Sequence, residues 1–223
     1  MIHKANWEQL TKELNAAGAT LIAVSKTKPA TDIMELYELG QRHFGENYVQ
    51  ELVDKQAVLP ADIHWHFIGH LQSNKIKYIA PFVHLIHAVD SAKLLQEISK
   101  QAAKNNRTID VLLQMYIADE DTKFGMEEAE IFGLLEHYTA QPEQFANIRI
   151  CGLMGMASNT DNEAQIRSEF TRLNNFFRHL AETTFFAKPY FVIKSIGMSA
   201  DYKLALAEGG NMVRVGSMLF GSR

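Results

Sequence analysis

Apolar positions along this chain alternate between short unbroken runs and stretches repeated at helical spacing. Leu21, Ile22, Ala23 and Val24 form one such run, the mark of a strand covered on both faces, as in a parallel sheet. Before it, Ile2, Trp7, Leu10, Leu14 and Ala17 recur at helical spacing, and Gly18 can close that helix. After it, Pro29 ends the strand segment, Asp32 is expected to cap a helix carrying Ile33, Leu36 and Leu39 on one face, and Gly40 closes it. The same unit then repeats. RHFGENY reads as strand and loop before a helix through Val49, Leu52 and Val53. IHWHFIG precedes a helix from Ser73, and VHLIHAV precedes one from Ser91 through Leu94, Leu95 and Ile98. In the second half TIDVLLQMYI reads as a long strand and ADEDTKFGM as a polar loop, with Ile131, Leu134, Leu135 and Tyr138 marking the next helix. IRICGLMGM, the loop ASNTD and a helix through Ile166, Phe170, Leu173, Phe176, Phe177 and Leu180 follow. YFVIKSIG leads into a helix from Ser199 to Glu208, and MVRVG is the last strand.

Eight strands alternating with helices predict a (β/α)8 barrel over one domain, residues 1–223, in preference to an open doubly wound sheet. The length of 223 residues and a hydrophobic fraction of 47% suit a barrel of this size. A net charge of −4 without a long basic run gives no electrostatic footprint for nucleic acid or an anionic membrane. Cys151 is the single cysteine and sits in an apolar run, so it reads as a small core residue in a reducing compartment. The start MIHKANWEQL has no signal-peptide core and no later run has membrane-spanning length, so a cytoplasmic location is expected.

A barrel does its chemistry at the carboxyl ends of its strands, and the unusual residues of this chain cluster there. Lys26 ends the first strand among apolar walls, where an ammonium loses proton affinity and its amine becomes available to a carbonyl. Gly45-Glu46-Asn47 ends the second strand, Gly69-His70 the third, Gly197-Met198-Ser199 the seventh and Gly216-Ser217 the eighth. Loops after strands seven and eight are a common phosphate site of barrels. Ser199 is expected as the N-cap or first-turn residue of the next helix, and Gly216-Ser217 lets backbone approach a ligand closely. Arg214, inside the eighth strand, cannot shed its charge and needs a partner, either a structural carboxylate or a ligand's ring nitrogen. A lysine, a phosphate cradle and an inward arginine together suit an aldehyde-bearing phosphate cofactor such as pyridoxal phosphate.

The segments AVSKTKP, FGENYVQE, WHFIGHLQSNK, GLMGM, SIGMSAD and VRVGSMLFG resemble the motifs of the YggS/PROSC family of pyridoxal phosphate homeostasis proteins over nearly the whole chain. That family resembles the barrel domain of alanine racemase without its second, β-rich domain, and here the chain ends at Arg223 directly after the eighth strand. The resemblance implies that Lys26 carries the cofactor as a Schiff base, that Ser199, Gly216 and Ser217 hold the phosphate, that Arg214 faces the pyridine nitrogen, and that Asn47 lines the pocket. It implies a cofactor carrier or buffer affecting amino-acid balance, a monomer passing pyridoxal phosphate to dependent apoenzymes. The segment before AVSKTKP is shorter than usual and the end after FGSR earlier than usual, so the opening helix is expected where an eighth barrel helix would lie. A weak racemase-like activity is the alternative. A metal-dependent hydrolase using His64, His66 and His70 is a further one, but no carboxylate motif joins them, and packed or hydrogen-bonded histidines are the expectation. Lys28, Lys75 and Lys123 also fall in family-like motifs and read as exposed loop charges.

Overall fold

The structure, a computed structural model, describes residues 2–120 and 124–221. Its elements run in the order α1 (Lys4–Ala16), β1 (Thr20–Val24), α2 (Ala30–Glu38), β2 (His43–Glu46), α3 (Val49–Val58), β3 (His64–Phe67), α4 (Ile76–Ile79), β4 (Leu85–Val89), α5 (Ala92–Lys104) and β5 (Ile109–Gln114). Then follow α6 (Glu128–Ala140), β6 (Ile148–Met154), α7 (Glu163–Glu182), β7 (Ile193–Met198), α8 (Tyr202–Ala207), β8 (Met212–Val215) and α9 (Ser217–Phe220). The eight strands close into a barrel in sequence order, every neighbouring pair parallel, with β8 returning to β1 through Thr20 opposite Met212 and Ile22 opposite Arg214. The barrel predicted from alternation is therefore the fold.

Alternation along β1 divides two cores. Leu21 and Ala23 face the helices and belong to the large apolar layer between sheet and helices. Ile22 faces inward, where Leu85, Leu112, Cys151, Met154 and Met212 join it in a small second cluster. The interior of the barrel is thus apolar in one part and, as the site shows, polar in another. No helix among the described residues is long and apolar enough to cross a membrane.

The first and last helices of the described residues lie side by side. α9 is a single turn, and α1 lies beside it: His3 N donates to Leu219 O at 2.8 Å and Asn6 Nδ2 to Met218 O at 2.8 Å. Tyr202 on α8 reaches the same helix, its hydroxyl donating to Glu13 Oε2 at 2.8 Å. The opening helix thus packs where a full eighth helix would lie, as expected.

Four local expectations need correction. α2 begins after Pro29, and Asp32 is a buried residue of its first turn rather than its cap, because the fixed φ of proline already sets the entry to the helix. α8 starts at Tyr202, so Ser199 lies in the turn before it. The helix expected from Ser73 is a 3₁₀ turn over Ser73–Lys75 followed by the single turn of α4. The long strand expected over TIDVLLQMYI is shorter, since β5 ends at Gln114 and the residues beyond it make only an isolated bridge to the end of the polar loop, Met126 N donating to Gln114 O and Tyr116 N to Met126 O.

Candidate functional site

Lys26 sits two residues beyond β1 on a loop that its neighbours hold rigidly. The residue before it, Ser25, is fully buried and donates through Oγ to Glu46 Oε1 at 2.5 Å. The residue after it, Thr27, takes a left-handed φ of 64° and donates its N–H to Glu51 Oε1 at 2.6 Å. One buried ammonium ties these together: Lys55 Nζ donates to Ser25 O and Glu46 Oε1 at 2.7 Å each and to Glu51 Oε1 at 2.6 Å. Burial holds the Glu46 carboxyl above its ordinary range, against the pull of Lys55 and the Ser25 hydroxyl. The network joins β1, β2 and α3, so the direction in which Lys26 leaves the barrel is set by three elements and not by the loop alone.

The end of β8 faces this loop. Val24, Lys26, Thr27 and Lys28 line one cavity with Gly216, Ser217 and Gly221. A Cβ on Gly216 would lie 3.2 Å from Val24 O and 3.3 Å from Val24 Cβ, closer than most side chains tolerate, so glycine allows β8 to run this near β1. Ser199 joins the group through its Oγ, which accepts from Gly216 N at 3.4 Å. Arg214 lies inside the barrel two residues earlier, buried, donating from Nη1 to Ser195 O at 2.6 Å and Ser195 Oγ at 2.7 Å and from Nη2 to Gly155 O at 3.0 Å. Desolvation lowers its pKa to about 10, with Asp201 opposing the shift, so the guanidinium stays charged at neutral pH, held mainly by dipoles.

Asn47 stands just past β2, the strand beside β1, and opens on a neighbouring cleft with Tyr48, His70 and Lys75. Its Oδ1 is buried with no hydrogen-bond partner among the described residues. A Cβ on Gly69 would lie 2.4 Å from Asn47 O and 2.8 Å from Asn47 Cα, so the third strand's loop can support Asn47 only with glycine there. The structure therefore brings Lys26, Gly216 and Ser217 into one cavity, ties Ser199 to it, sets Arg214 beneath it and places Asn47 on the next strand. Lys28 is not a free loop charge, since its Nζ donates to Phe220 O at 3.0 Å and ties the β1 loop to α9. Lys75 is exposed beside Tyr78, and Lys123 lies outside the described residues. Sequence reasoning missed the roles of Glu51, Lys55, Ser195 and Gly155. Only the spacing of Glu51 and Lys55, four apart on a helix, offered a signal.

Below Arg214 the barrel carries a column of imidazoles. His87 Nδ1 lies 2.9 Å from Ser195 Oγ, His66 Nδ1 2.9 Å from His87 Nε2, and His43 Nδ1 2.9 Å from His66 Nε2. Burial keeps His66 and His87 well below the usual histidine range, with neighbouring imidazoles and Arg214 adding to the effect. The expected packed and hydrogen-bonded histidines include His64 and His66, but His70 is at the opposite rim, beside Asp90 at 3.3 Å.

Fold and site together define a barrel of the kind found in the N-terminal domain of alanine racemase, and the family model of that domain matches residues 3–223. Structures of alanine racemase agree in fold: that of Bartonella henselae gives a TM-score of 0.68 at 17% identity, over 95% of this chain and 56% of the racemase. Closer similarity lies elsewhere. The pyridoxal phosphate homeostasis protein of Aquifex aeolicus is 38% identical over 97% of this chain and 94% of its own, and that of Escherichia coli 37% identical over 92% and 86%. PipY of Synechococcus elongatus, solved with PLP bound, superposes with a TM-score of 0.85 at 35% identity, over 97% of this chain and 99% of that one. The chain belongs to the YggS/PROSC family of pyridoxal phosphate homeostasis proteins, within the larger family of the alanine racemase N-terminal domain.

Proposed function

We propose that this chain binds pyridoxal phosphate and acts as a carrier and buffer for it, with Lys26 as the attachment point. The observation that carries the reading is the single cavity lined by Lys26, Gly216 and Ser217, with Ser199 hydrogen-bonded to its edge. The donor set fits the cofactor. A primary amine stands opposite backbone N–H and hydroxyl groups suited to a phosphate, and Asn47 Oδ1 is a buried acceptor in need of a donor. When bound, the cofactor supplies a carbonyl carbon that amines attack and a ring that can accept electrons.

The chain's own groups favour holding over turning over. The clamp of Glu46, Glu51 and Lys55 orients the loop that presents Lys26. Arg214, charged and fixed by Ser195 and Gly155, would face the ring nitrogen of a bound cofactor, and a cation there would disfavour its protonation and weaken the ring as an electron sink. Delivery to apoenzymes follows from a site that binds without consuming. Borohydride reduction of the loaded protein followed by peptide mapping is the test. The label is expected on Lys26, with none retained by Lys26→Ala, whereas a label mainly on another lysine would overturn the assignment.

A further inference from the structure

Five of the nine histidines of this chain, His43, His64, His66, His84 and His87, gather in one quarter of the barrel. Strand register puts them there. His43 opens β2 and His64, its partner in the sheet, opens β3; His84 immediately precedes β4, and His66 pairs with Leu85. Parallel strands that start together bring their first residues to one rim, so His43, His64 and His84 ring the amino-terminal mouth of the barrel, at the opposite end from Lys26. His66 lies one step further in, and His87 deeper still against Ser195.

Nitrogens of His43, His66 and His84 all lie within 4.8 Å of one another. A tetrahedral zinc with Zn–N bonds of about 2.0–2.1 Å sets its ligand nitrogens roughly 3.3 Å apart. One pair, His43 Nδ1 and His66 Nε2, now hydrogen-bonded at 2.9 Å, has only to open slightly to reach that spacing, and small rotations of the half-buried His43 and the exposed His84 bring in the third. The cluster has an outer shell as well. His66 turns its other nitrogen to His87, and His87 turns its own to Ser195, an arrangement that fixes ring orientation as second partners of metal-bound histidines do. His84, exposed at the mouth, leaves a path from solvent, while the fully buried His66 gives the set a rigid base.

We propose that His43, His66 and His84 form a three-imidazole site for a borderline divalent transition metal of the zinc class at the amino-terminal rim of the barrel. An all-nitrogen set of this kind suits zinc, copper(II) or nickel rather than magnesium or calcium, which take oxygen ligands. Asp110, the carboxylate felt at His84, is engaged by Arg149 at 2.7 and 2.8 Å and is not a ligand. A metal here pins the starts of β2, β3 and β4 together. It also fixes the relay above it: with His66 Nε2 on the metal, the ring proton sits on Nδ1 and is donated to His87 Nε2, and His87 Nδ1–H is donated to Ser195 Oγ.

The test uses full-length, tag-free protein stripped with a chelator, titrated with zinc by calorimetry and with cobalt(II) by visible absorption. One metal per chain is expected, with the intense visible bands of four-coordinate cobalt and a rise in melting temperature on adding zinc. His84→Gln and His43→Gln, both at the accessible rim, should each lower affinity by more than the roughly 10- to 100-fold that loss of an outer-shell partner costs. His70→Gln, at the other end of the barrel, should bind as the parent does. Absence of saturable binding at one equivalent, or parent-like binding by either rim variant, overturns the site.

Discussion

Lys55→Met tests whether the clamp beneath the Lys26 loop is what positions that lysine. Lys55 is almost fully buried, and its ammonium makes three short hydrogen bonds, to Ser25 O, Glu46 Oε1 and Glu51 Oε1. A methionine of similar length fills the space but leaves Glu46, fully buried, without its cation. Removing one member of a buried pair costs about 3–5 kcal/mol because the remaining charge is stranded. Urea unfolding followed by circular dichroism should show a loss of that size at pH 7. The loss has a defined pH dependence. Burial already raises the Glu46 carboxyl above 4.5, and without Lys55 it rises further. A carboxyl whose pKa is higher folded than unfolded supports folding below the unfolded value and withdraws that support as pH climbs through the folded one. The deficit should therefore shrink toward pH 4.5 and be complete only above the raised pKa. Adding Glu46→Gln removes the stranded charge and should recover a large part of the stability. Formation of the Lys26 adduct, followed by absorbance, should stay impaired in the double variant, because the ammonium that joins Ser25 O to Glu51, the acceptor of the Thr27 N–H, is still missing. A loss below about 1 kcal/mol with unchanged adduct formation would refute the account.

Three further outcomes follow from the site. Ser199→Ala removes a hydroxyl from the proposed phosphate edge and should weaken pyridoxal phosphate binding about tenfold or somewhat more, at about 1.5–3 kcal/mol per charge-assisted bond, with pyridoxal affected little; equal losses for both ligands would contradict a phosphate role. Gly69→Ala forces a Cβ against Asn47 backbone and should cost about 1–3 kcal/mol in unfolding free energy along with cofactor affinity, measured by denaturation and fluorescence titration; a neutral result would mean the loop yields freely. With alanine in heavy water, α-proton exchange by the loaded protein should stay within about tenfold of free pyridoxal phosphate, because general acid–base groups typically add about 10²–10⁴; exchange far above that and lost in Lys26→Ala would mean an enzyme.

The barrel was legible because each strand interior reads as an apolar run, and parallel strands buried on both faces must read so. Lys26, Gly216 and Ser217 were legible for a related reason: strand ends and glycine turns are local features, and the topology then collects them at one rim. Ser199, expected at the N-cap or in the first turn of a helix, instead meets Gly216 from the turn before α8, a turn held by Met198 N donating to Asp201 Oδ1 at 2.6 Å. What stayed hidden depends on contacts between distant segments. His87 and Ser195 are 108 residues apart, and only closure of β4 toward β7 across the interior joins them. Lys55 resembled any charged helix residue, and nothing in VQELVDKQAV shows that its ammonium turns inward to Ser25.

Arg214 and the imidazole column beneath it form one electrostatic unit, so a change of charge at position 214 acts on the column as well as on any ring bound above it. The guanidinium donates to Ser195 Oγ, and the same oxygen meets His87 Nδ1, so a charge at position 214 is felt one bond further on by His87. Arg214 and burial both hold His87 neutral. Replacing Arg214 with glutamate should favour a protonated pyridine nitrogen, but the new carboxylate also offers His87 a counter-ion and should raise its proton affinity. The two bases then compete for the same stabilisation, and a protonated His87 would shield the carboxylate from the ring. Arg214→Glu alone should therefore raise α-proton exchange less than Arg214→Glu combined with His87→Asn, which keeps a hydrogen-bonding group toward Ser195 but cannot take up the proton. Exchange measured by NMR in heavy water on both variants, each shown to be folded and cofactor-loaded, separates the cases. Equal rates in the single and double variants would mean that the column below Arg214 does not respond to the charge at that position.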